Sequence, residues 1–370
     1  MEQAKAERIA LQMKEFFAPG RTELAGNHTD HQNGRCLASA IDLGLTARVE
    51  PNDEGLVRIQ SAHFEPITIK TSQLAVRPQE FGTPQALVRG VLAGFQDLGL
   101  SIGGFDATVK STLHAGAGLS SSAAFAVLVG KILSGLYNDG QVPPVVLARV
   151  AQSAENEHFG KPCGLMSQLA IALGHTVYLD FKNQKFEFID ADFAAMGLKL
   201  CLTDTGGSHA GLDTSYARIP ADMVYIANLF DKGVLGDVDP EEFRSQGWDV
   251  SNRPVRRAMH FFDENDRVVQ MRDALKARDG ETYMRLMNES GRSSERLLNN
   301  IVTSVTGDTK LAQGLELSET LLQGKGAWRV HGGGFAGCVQ ALMPTDFFPT
   351  YKTEMEKTFG LGKCMEITLI

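Results

Sequence analysis

Long apolar runs are missing from this sequence: no stretch reaches the about 18 residues that a membrane-spanning helix requires. A secretory signal is missing as well. The opening residues, MEQAKAERIALQMKEFF, spread Glu and Lys among apolar residues, and no small-residue cleavage site follows an apolar run. We predict an amphipathic helix at this end, and neither a signal peptide nor a membrane partner.

Cysteine is scarce and scattered. The 370 residues include five, an odd number without metal-ligand spacing or a disulfide framework: Cys36, Cys163, Cys201, Cys338 and Cys364. This usage favours a reducing, cytoplasmic location.

Positive charge is also in short supply. The formal net charge is -8 at pH 7, which argues against non-specific nucleic-acid binding, because such binding requires a basic face. A local basic pocket for a phosphorylated ligand is compatible with this charge. The sequence shows no internal repeat and no low-complexity segment.

What the sequence does contain is a strand, glycine loop and helix unit near its middle. FDATVKSTL, residues 105–113, alternates apolar and polar residues as a half-buried strand does. After the loop HAGAGLSSS, the segment AAFAVLVGKILSGLY indicates a mostly apolar helix. The first half of the chain mixes strands and helices, whereas residues 219–323 are mainly helical. We predict an α+β protein of two domains, residues 1–190 and 191–370.

The glycine loop is a candidate phosphate site. Gly116 and Gly118 allow a phosphate to approach the backbone, and the following helix offers free N–H groups and the positive end of its dipole. The serines at 120–122 add hydroxyls for phosphate or a metal ion. The loop lacks the Gly-Lys-Ser/Thr of a P-loop and the third glycine of a dinucleotide fingerprint. A tight turn capped by serine is the alternative.

A second glycine run, GGGFAG at residues 332–337, matches the pattern G-x-G-x-x-G. A dinucleotide loop must open a helix, but the following CVQALM reads as a strand that ends before Pro344. We therefore predict that this run packs its backbone closely against another segment.

A polar cluster lies between glycines in APGRTELAGNHTDHQNG, residues 18–34. Its hydrogen-bonding side chains include Arg21, Asn27, His28, Asp30 and His31. This density suits a polyhydroxylated ligand, and a solvated loop is the alternative. A metal site is disfavoured, because the two histidines would share a face only on a helix, and the flanking glycines argue against one.

Together, the segments GR…GxHTD…G, GxGLSSSAA and GGGFxGC resemble the GHMP small-molecule kinases, which include galactokinase, mevalonate kinase and homoserine kinase. The spacing from GR to NHTD, with AENEHFGKPCGLM at 154–166 and MNESGRSS at 287–294, is similar to the galactokinase branch. The resemblance covers most of the chain. It implies a two-domain GHMP-kinase fold: an N-terminal α/β domain like ribosomal S5 domain 2, a C-terminal ferredoxin-like α+β domain, and an active-site cleft between them.

The same resemblance implies roles for individual residues. The loop would bind the triphosphate of ATP through Gly116, Ala117, Gly118, Leu119, Ser120, Ser121 and Ser122. Ser122 and Glu155 match Mg²⁺ ligands, and Arg21 matches the arginine beside the transferred phosphoryl group. The implied sugar contacts are Asn27, His28, Asp30, Gly164 and Tyr216.

Two residues depart from the galactokinase pattern. Ser167 stands where galactokinases carry the Asp that acts as general base, and a serine hydroxyl does not hold a negative charge near neutral pH. A weak or substrate-assisted kinase, recruitment of another carboxylate such as Asp30, binding without turnover, and a substitution introduced into a working enzyme all stay open. Asn27 stands where galactokinases have a Glu that contacts a sugar hydroxyl, so the favoured sugar need not be galactose. Neighbouring Thr22, Glu23 and Ala25 also differ.

These observations predict an ATP- and Mg²⁺-dependent kinase that phosphorylates a monosaccharide at its anomeric hydroxyl, converting galactose to galactose 1-phosphate. One alternative is a kinase for a related sugar. Another is a sugar- and ATP-binding regulatory protein on a galactokinase fold. A kinase for a different small alcohol, such as mevalonate or homoserine, matches the NHTDHQNG cluster poorly.

Overall fold

In a computed structural model of the protein, the described residues are 13–62, 64–113, 118–207, 211–302 and 305–370, without the side chain of Asp213. They form two compact units: the first within 1–21, 40–114 and 119–174, the second within 22–39, 115–118 and 175–370. Both units are therefore built from several chain segments. The contiguous division at residue 190 stays a prediction. Among the described helices, none is long and apolar enough to cross a membrane.

Strands and helices are interspersed as far as Asp204 and again from Ala327, whereas the described residues between Asp204 and Ala327 form helices and no strand, which confirms the predicted helical region. The strands are β1 Lys14–Ala25, β2 Arg35–Asn52, β3 Leu56–Ser61, β4 Phe64–Lys70, β5 Gly104–Ser111, β6 Thr176–Asp180, β7 Lys185–Phe188, β8 Leu198–Asp204, β9 Ala327–His331, β10 Cys338–Pro344 and β11 Cys364–Ile367. The α-helices are α1 Pro84–Asp97, α2 Ser121–Tyr137, α3 Pro144–Ser153, α4 Met166–Leu173, α5 Asp213–Asn228, α6 Pro240–Ser245, α7 Arg253–Lys276, α8 Gly280–Ser293, α9 Lys310–Leu322 and α10 Phe348–Phe359.

The first unit combines helices α1 to α4 with a sheet in the strand order β4-β3-β5-β2. The predicted alternation is confirmed in β5, where Phe105, Ala107 and Val109 are buried and the residues between them are more exposed. Helix α2 follows the glycine loop. It is buried around most of its circumference, as its apolar composition predicts.

The predicted N-terminal helix is wrong where the structure describes the segment. Residues 1–12 lie outside the described residues, and Lys14–Ala25 form strand β1. This strand pairs with β2, and Phe17 and Ala18 lie directly against Gly44. Pairing with the next strand outweighs the local amphipathic pattern, since strand formation depends mainly on packing context.

The second unit is built on an antiparallel sheet in the order β11-β8-β10-β9. Helices α8 and α9 contact β9, and α10 contacts β8 and β11. A separate core between α5 and α7 includes Met223 and Phe261. Strands β6 and β7 also belong here, and β6 pairs with the start of β2. The glycine turn, residues 332–337, joins β9 to β10 and lies at the end of this sheet.

Candidate active site

The candidate phosphate loop ends at Ser120, and α2 begins at the next residue. Gly116 and Ala117 lie outside the described residues. Ser120 adopts a left-handed backbone with φ of +58°, and its side chain makes no capping hydrogen bond to α2. The serine-capped turn is therefore not what forms here. Ser121 is exposed and Ser122 is partly buried in the first turn of the helix, and Leu119 is buried.

The Ser120 hydroxyl points instead to Ser167, in the first turn of α4. It donates a hydrogen bond to Ser167 Oγ over 3.1 Å, and Arg21 Nε donates to the same oxygen over 2.9 Å. The Arg21 backbone N–H reaches the Leu119 carbonyl at 3.3 Å. A hydroxyl has two acceptor positions and one proton. Both acceptor positions of Ser167 are therefore filled, which leaves it only a donor toward any further group.

Glu155 lies on a π-helix, Ala154–His158, that continues α3. Such irregular turns are frequent at functional sites. Glu155 is only 3% exposed. Gln168 Nε2 donates to its Oε2 over 3.3 Å, whereas Oε1 is buried without a hydrogen-bond partner in the described part of the chain. Because an unpaired buried carboxylate oxygen is costly, this atom is suited to a cation.

The donor set around Glu155 fits Mg²⁺ bound together with a nucleotide. In the described ranges, no group of three or more His, Cys, Asp or Glu side chains could hold a metal ion by itself. Mg²⁺ at nucleotide sites commonly takes one or two carboxylates and completes its shell with phosphate oxygens and water. Helix α2, which carries Ser122, packs against the π-helix that carries Glu155.

In the second unit, the Asn27 side chain is buried and bonded to protein groups on both sides. Its Nδ2 donates to Glu23 Oε1 over 3.3 Å and to the Gly332 carbonyl. Its Oδ1 accepts from Asn300 Nδ2 at 3.1 Å and from Ser294 Oγ at 3.3 Å. The sequence placed Asn27 among the sugar contacts, and that role stays a prediction.

His28 takes part in a chain of directed hydrogen bonds. Its backbone is left-handed, with φ of +59°, and its Nε2 lies 3.0 Å from the Gly333 carbonyl. Its Nδ1 lies 3.3 Å from His31 Nε2, and His31 Nδ1 lies 3.3 Å from Gln32 Nε2. Because a carbonyl only accepts and the Gln32 amide nitrogen only donates, His28 Nε2 and His31 Nε2 must both carry protons.

This order of donors requires both histidines to be neutral. Burial lowers the pKa of His28 to about 4, and the neighbouring His31 acts in the same direction. Burial also lowers the pKa of His31 to about 4. The two rings therefore bond to each other, and His31 lies in a short 3₁₀-helix although the flanking glycines argue against a helix. That this cluster binds no metal ion stays a prediction.

Asp30, Tyr216 and Gly164 are each partly exposed. Asp30 lies in the 3₁₀-helix Asp30–Gln32, and its Oδ1 accepts from the His31 N–H over 2.9 Å. The Tyr216 hydroxyl donates to the Gly334 carbonyl over 2.5 Å. Gly164 belongs to the first unit, in the loop that precedes α4. The structure thus brings His28 and Tyr216 to the same glycine turn.

The glycine turn packs as closely as the sequence predicts. Gly334 has φ of +83°, and a Cβ there would lie 2.2 Å from the Asn300 carbonyl oxygen. A Cβ at Gly333 would lie 2.8 Å from Tyr216 Cε1. The turn connects two strands and opens no helix. Its glycines therefore serve backbone packing, and the prediction is confirmed.

Gly118 shows a comparable constraint in the second unit. Its φ is +67°, and a Cβ there would lie 3.3 Å from His331 Nδ1. The other ring nitrogen of His331 lies 3.1 Å from Thr22 Oγ1. His331 is thus held by protein contacts beside the end of the loop.

Sequence reasoning missed the buried charges next to Asn27. Glu23 is 4% exposed, Arg329 1% and Glu264 0%. Burial alone would raise the pKa of Glu264, but nearby Arg267, His260 and Arg329 together with a hydrogen bond from Ser290 lower it to about 2. The sequence did offer one signal, an arginine among the apolar residues of the strand AWRVH. An arginine at a core position needs a buried partner of opposite charge.

Two family sequence models match the chain. Residues 86–175 match the GHMP kinases N terminal domain, and residues 12–51 match the galactokinase galactose-binding signature. Over these two ranges the chain is similar to the GHMP kinases and to galactokinase. The signature range contains Arg21 and the polar cluster, and the N-terminal domain range contains Glu155, Ser167 and the described serines of the loop.

Solved structures of GHMP kinases share this fold. Lactococcus lactis galactokinase, solved with galactose, is 23% identical with a TM-score of 0.86, over 100% of this chain and 98% of that one. Methanococcus jannaschii mevalonate kinase is 16% identical with a TM-score of 0.68, over 97% and 98%. Streptococcus pneumoniae phosphomevalonate kinase, solved with phosphomevalonate and AMPPNP, is 16% identical with a TM-score of 0.66, over 96% and 98%. The predicted α+β GHMP-kinase fold and the resemblance to galactokinase are confirmed.

Proposed function

We propose that this GHMP kinase transfers the terminal phosphoryl group of ATP to the anomeric hydroxyl of a monosaccharide, converting galactose to galactose 1-phosphate. The observation that carries the proposal is the hydrogen-bonded group Arg21, Ser167 and Ser120 at the N-terminus of α2. The galactose-binding signature over residues 12–51 supports the sugar. Family members solved with galactose and with AMPPNP support the two substrates.

In this proposal, α2 and the loop before it bind the triphosphate. The first-turn N–H groups and the helix dipole attract an anion without needing a basic side chain. Gly116, Ala117, Gly118 and Leu119 supply backbone, and Ser120, Ser121 and Ser122 supply N–H groups and hydroxyls. Glu155 and Ser122 would hold Mg²⁺, which neutralises charge on the phosphate oxygens when bound.

Arg21 stabilises the charge that develops on the transferred phosphoryl group. Its guanidinium is held by the bond from Nε to Ser167, so the positive charge is positioned before substrate binds. Preorganised charge of this kind is the main protein contribution to phosphoryl transfer, because the loose transition state needs little covalent chemistry from the protein.

Ser167 does not act as a base in this proposal. Both acceptor positions of its oxygen are filled by Arg21 and Ser120, so its hydroxyl would keep its proton and donate a hydrogen bond that orients the attacking sugar oxygen. The bond from the anomeric oxygen to the phosphorus forms as the bond to ADP breaks. The proton of the sugar hydroxyl passes to an oxygen of the transferred phosphoryl group, which makes the reaction substrate-assisted.

The remaining proposed contacts bind the sugar. They are the side chains of His28, Asp30 and Tyr216 and the backbone of Gly164. The five cysteines are all free thiols, which supports the proposed cytoplasmic location.

The test is phosphorylation of a hexose panel by the wild type and by Ser167→Asp, followed as ADP release and as sugar phosphate by ³¹P NMR. We expect galactose 1-phosphate from the wild type. Turnover on another hexose but not on galactose would redirect the proposal to a related sugar. Absence of turnover by both proteins on every sugar would overturn it, and sugar binding by calorimetry would then favour the regulatory alternative.

A further inference from the structure

A carboxylate in place of the Asn27 amide would be repelled by the hydrogen-bond acceptors around it. Its Nδ2 faces two acceptors, Glu23 Oε1 at 3.3 Å and the Gly332 carbonyl oxygen. Its Oδ1 faces a donor, Asn300 Nδ2 at 3.1 Å. An amide supplies donors on one side and an acceptor on the other, whereas Asp or Glu would set lone pairs against both acceptors.

Glu23 is the reason that position 27 needs a donor. Its Oε1 pairs with the Arg329 guanidinium, and both side chains are almost inaccessible, at 5% and 1% exposure. Arg329 is held in turn by Ser290 Oγ at 3.1 Å and lies 3.9 Å from Glu264 Oε1. This buried anchor fixes the position of the Glu23 carboxylate, because breaking such a pair leaves an uncompensated charge.

The anchored amide connects parts of the second unit that are remote in sequence. Asn27 joins β1 to the glycine turn through Gly332, and to the segment after α8 through Ser294 and Asn300. Asn300 also donates to the Gly333 carbonyl over 3.2 Å, which is the same carbonyl that His28 contacts. The orientation of His28 therefore depends on the amide that precedes it.

We propose that Glu23 and Arg329 are positioning residues for sugar recognition, which act by holding the Asn27 amide and, through it, the glycine turn against His28. This assignment rests on the proposed sugar kinase function. Asn27 then acts on the sugar site by positioning the glycine turn and His28. Position 27 carries an uncharged residue because position 23 carries a carboxylate. A carboxylate at both positions would place two negative charges in one buried site.

The test is a double-mutant cycle of Asn27→Asp, Glu23→Gln and their combination, with KM for sugar, KM for ATP and kcat measured for each protein. Asn27→Asp keeps the side-chain shape and should raise the sugar KM about 10-fold or more, with the ATP KM within about twofold. The double variant restores the net charge and gives the new carboxylate at position 27 a donor. It should therefore reverse at least half of the increase in the logarithm of the sugar KM. The proposal would be overturned if the fold-changes in sugar KM of the two single variants multiply in the double variant. It would also be overturned if Asn27→Asp leaves the sugar KM unchanged.

Two exposed positions provide matched controls. Asn228→Asp and Glu319→Gln make the same chemical changes on the surface of the second unit and should leave both KM values unchanged. If Asn27→Asp does not fold, Arg329→Lys keeps the charge but loses the forked donors, and it should raise the sugar KM without changing the ATP KM.

Failure of the proposed function can be told apart from failure of this inference. If the wild type neither binds nor phosphorylates any sugar, the proposed function is overturned, and so is the role of these residues in sugar recognition. The melting temperatures of the same four proteins then still decide whether Glu23 and Asn27 act as a pair. Non-additive shifts support the pairing, and additive shifts overturn it.

Discussion

Arg21 Nε and Ser167 Oγ are 2.9 Å apart, so the arginine is bonded to a neutral hydroxyl in the first turn of α4. A neutral hydroxyl is a poor base near neutral pH, but this bond holds the arginine in a defined position. The consequences for rate, metal dependence and stability can be measured separately.

Ser167→Asp should raise kcat by about 10²- to 10⁴-fold, because a positioned carboxylate beside Arg21 can take the proton of the sugar hydroxyl. The measurement is kcat between pH 5 and pH 9. Ser167→Asn is the matched control, since it has the size of Asp without the charge. Equal rates for the Asp and Asn variants would show that no base is needed at this position.

Arg21→Met should lower kcat by about 10³-fold with little change in the sugar KM, because its charge acts on the phosphoryl group in the transition state. Steady-state kinetics at saturating ATP and a calorimetric sugar affinity separate the two effects. An unchanged kcat would contradict the role given to Arg21.

Glu155→Gln should raise the Mg²⁺ concentration needed for half-maximal rate by about 10- to 100-fold, because the Oε1 that lacks a hydrogen-bond partner among the described residues becomes part of a neutral amide. Binding of Mn²⁺–ATP, followed by electron paramagnetic resonance, reads the same loss without turnover. Glu157→Gln, at an exposed position of the same π-helix, is the control. Equal metal affinity of the two variants would argue against Glu155 as a ligand.

Stability should fall as the pH drops from about 6.5 toward 4. In the folded protein the pKa values of His28 and His31 lie at about 4, below the ordinary histidine value of 6.5, so the unfolded chain binds more protons in this window. The stabilisation is fully present above about pH 6.5. The pKa of Glu264 is lowered from its ordinary 4.5 to about 2, so this carboxylate reduces stability only as the pH falls from about 4.5 toward 2.

Urea unfolding midpoints at pH 7.5, 6.0 and 5.0 measure this dependence. His31→Gln keeps an amide donor toward His28 and removes one titrating ring, so its slope with pH should be shallower. His175→Gln, at an exposed histidine, should keep the wild-type slope. Identical slopes for all three proteins would refute the neutral histidine pair as the source.

Gly334→Ala should destabilise the protein far more than Gly324→Ala. Both positions have left-handed backbones, which costs an alanine roughly 1–2 kcal/mol. Only at Gly334 would the new Cβ meet another atom, the Asn300 carbonyl oxygen at 2.2 Å, which adds about 1–3 kcal/mol of overpacking. Thermal unfolding compares the melting temperatures of the two variants. Equal decreases would mean that the turn accommodates the Cβ at position 334 without loss of stability.

Local pattern by itself determined the parts of this protein whose causes lie within a few residues. The alternation of β5, the apolar helix α2 after its glycine loop and the strand–turn–strand around residues 332–337 all follow from side-chain period and glycine placement. The order of the glycine, serine and NHTD motifs was also enough to predict the resemblance to GHMP kinases, because motif identity needs no coordinates.

Tertiary structure alone decided how the side chains in those motifs are used. Strand β1 forms in place of a helix because β2 pairs with it, and Ser120 bonds to Ser167 rather than capping its own helix. Asn27 is bound by Glu23, Asn300 and Gly332, two of them hundreds of residues away. Hydrogen bonds act over about 3 Å in space whatever the separation along the chain, so no sequence spacing reveals them.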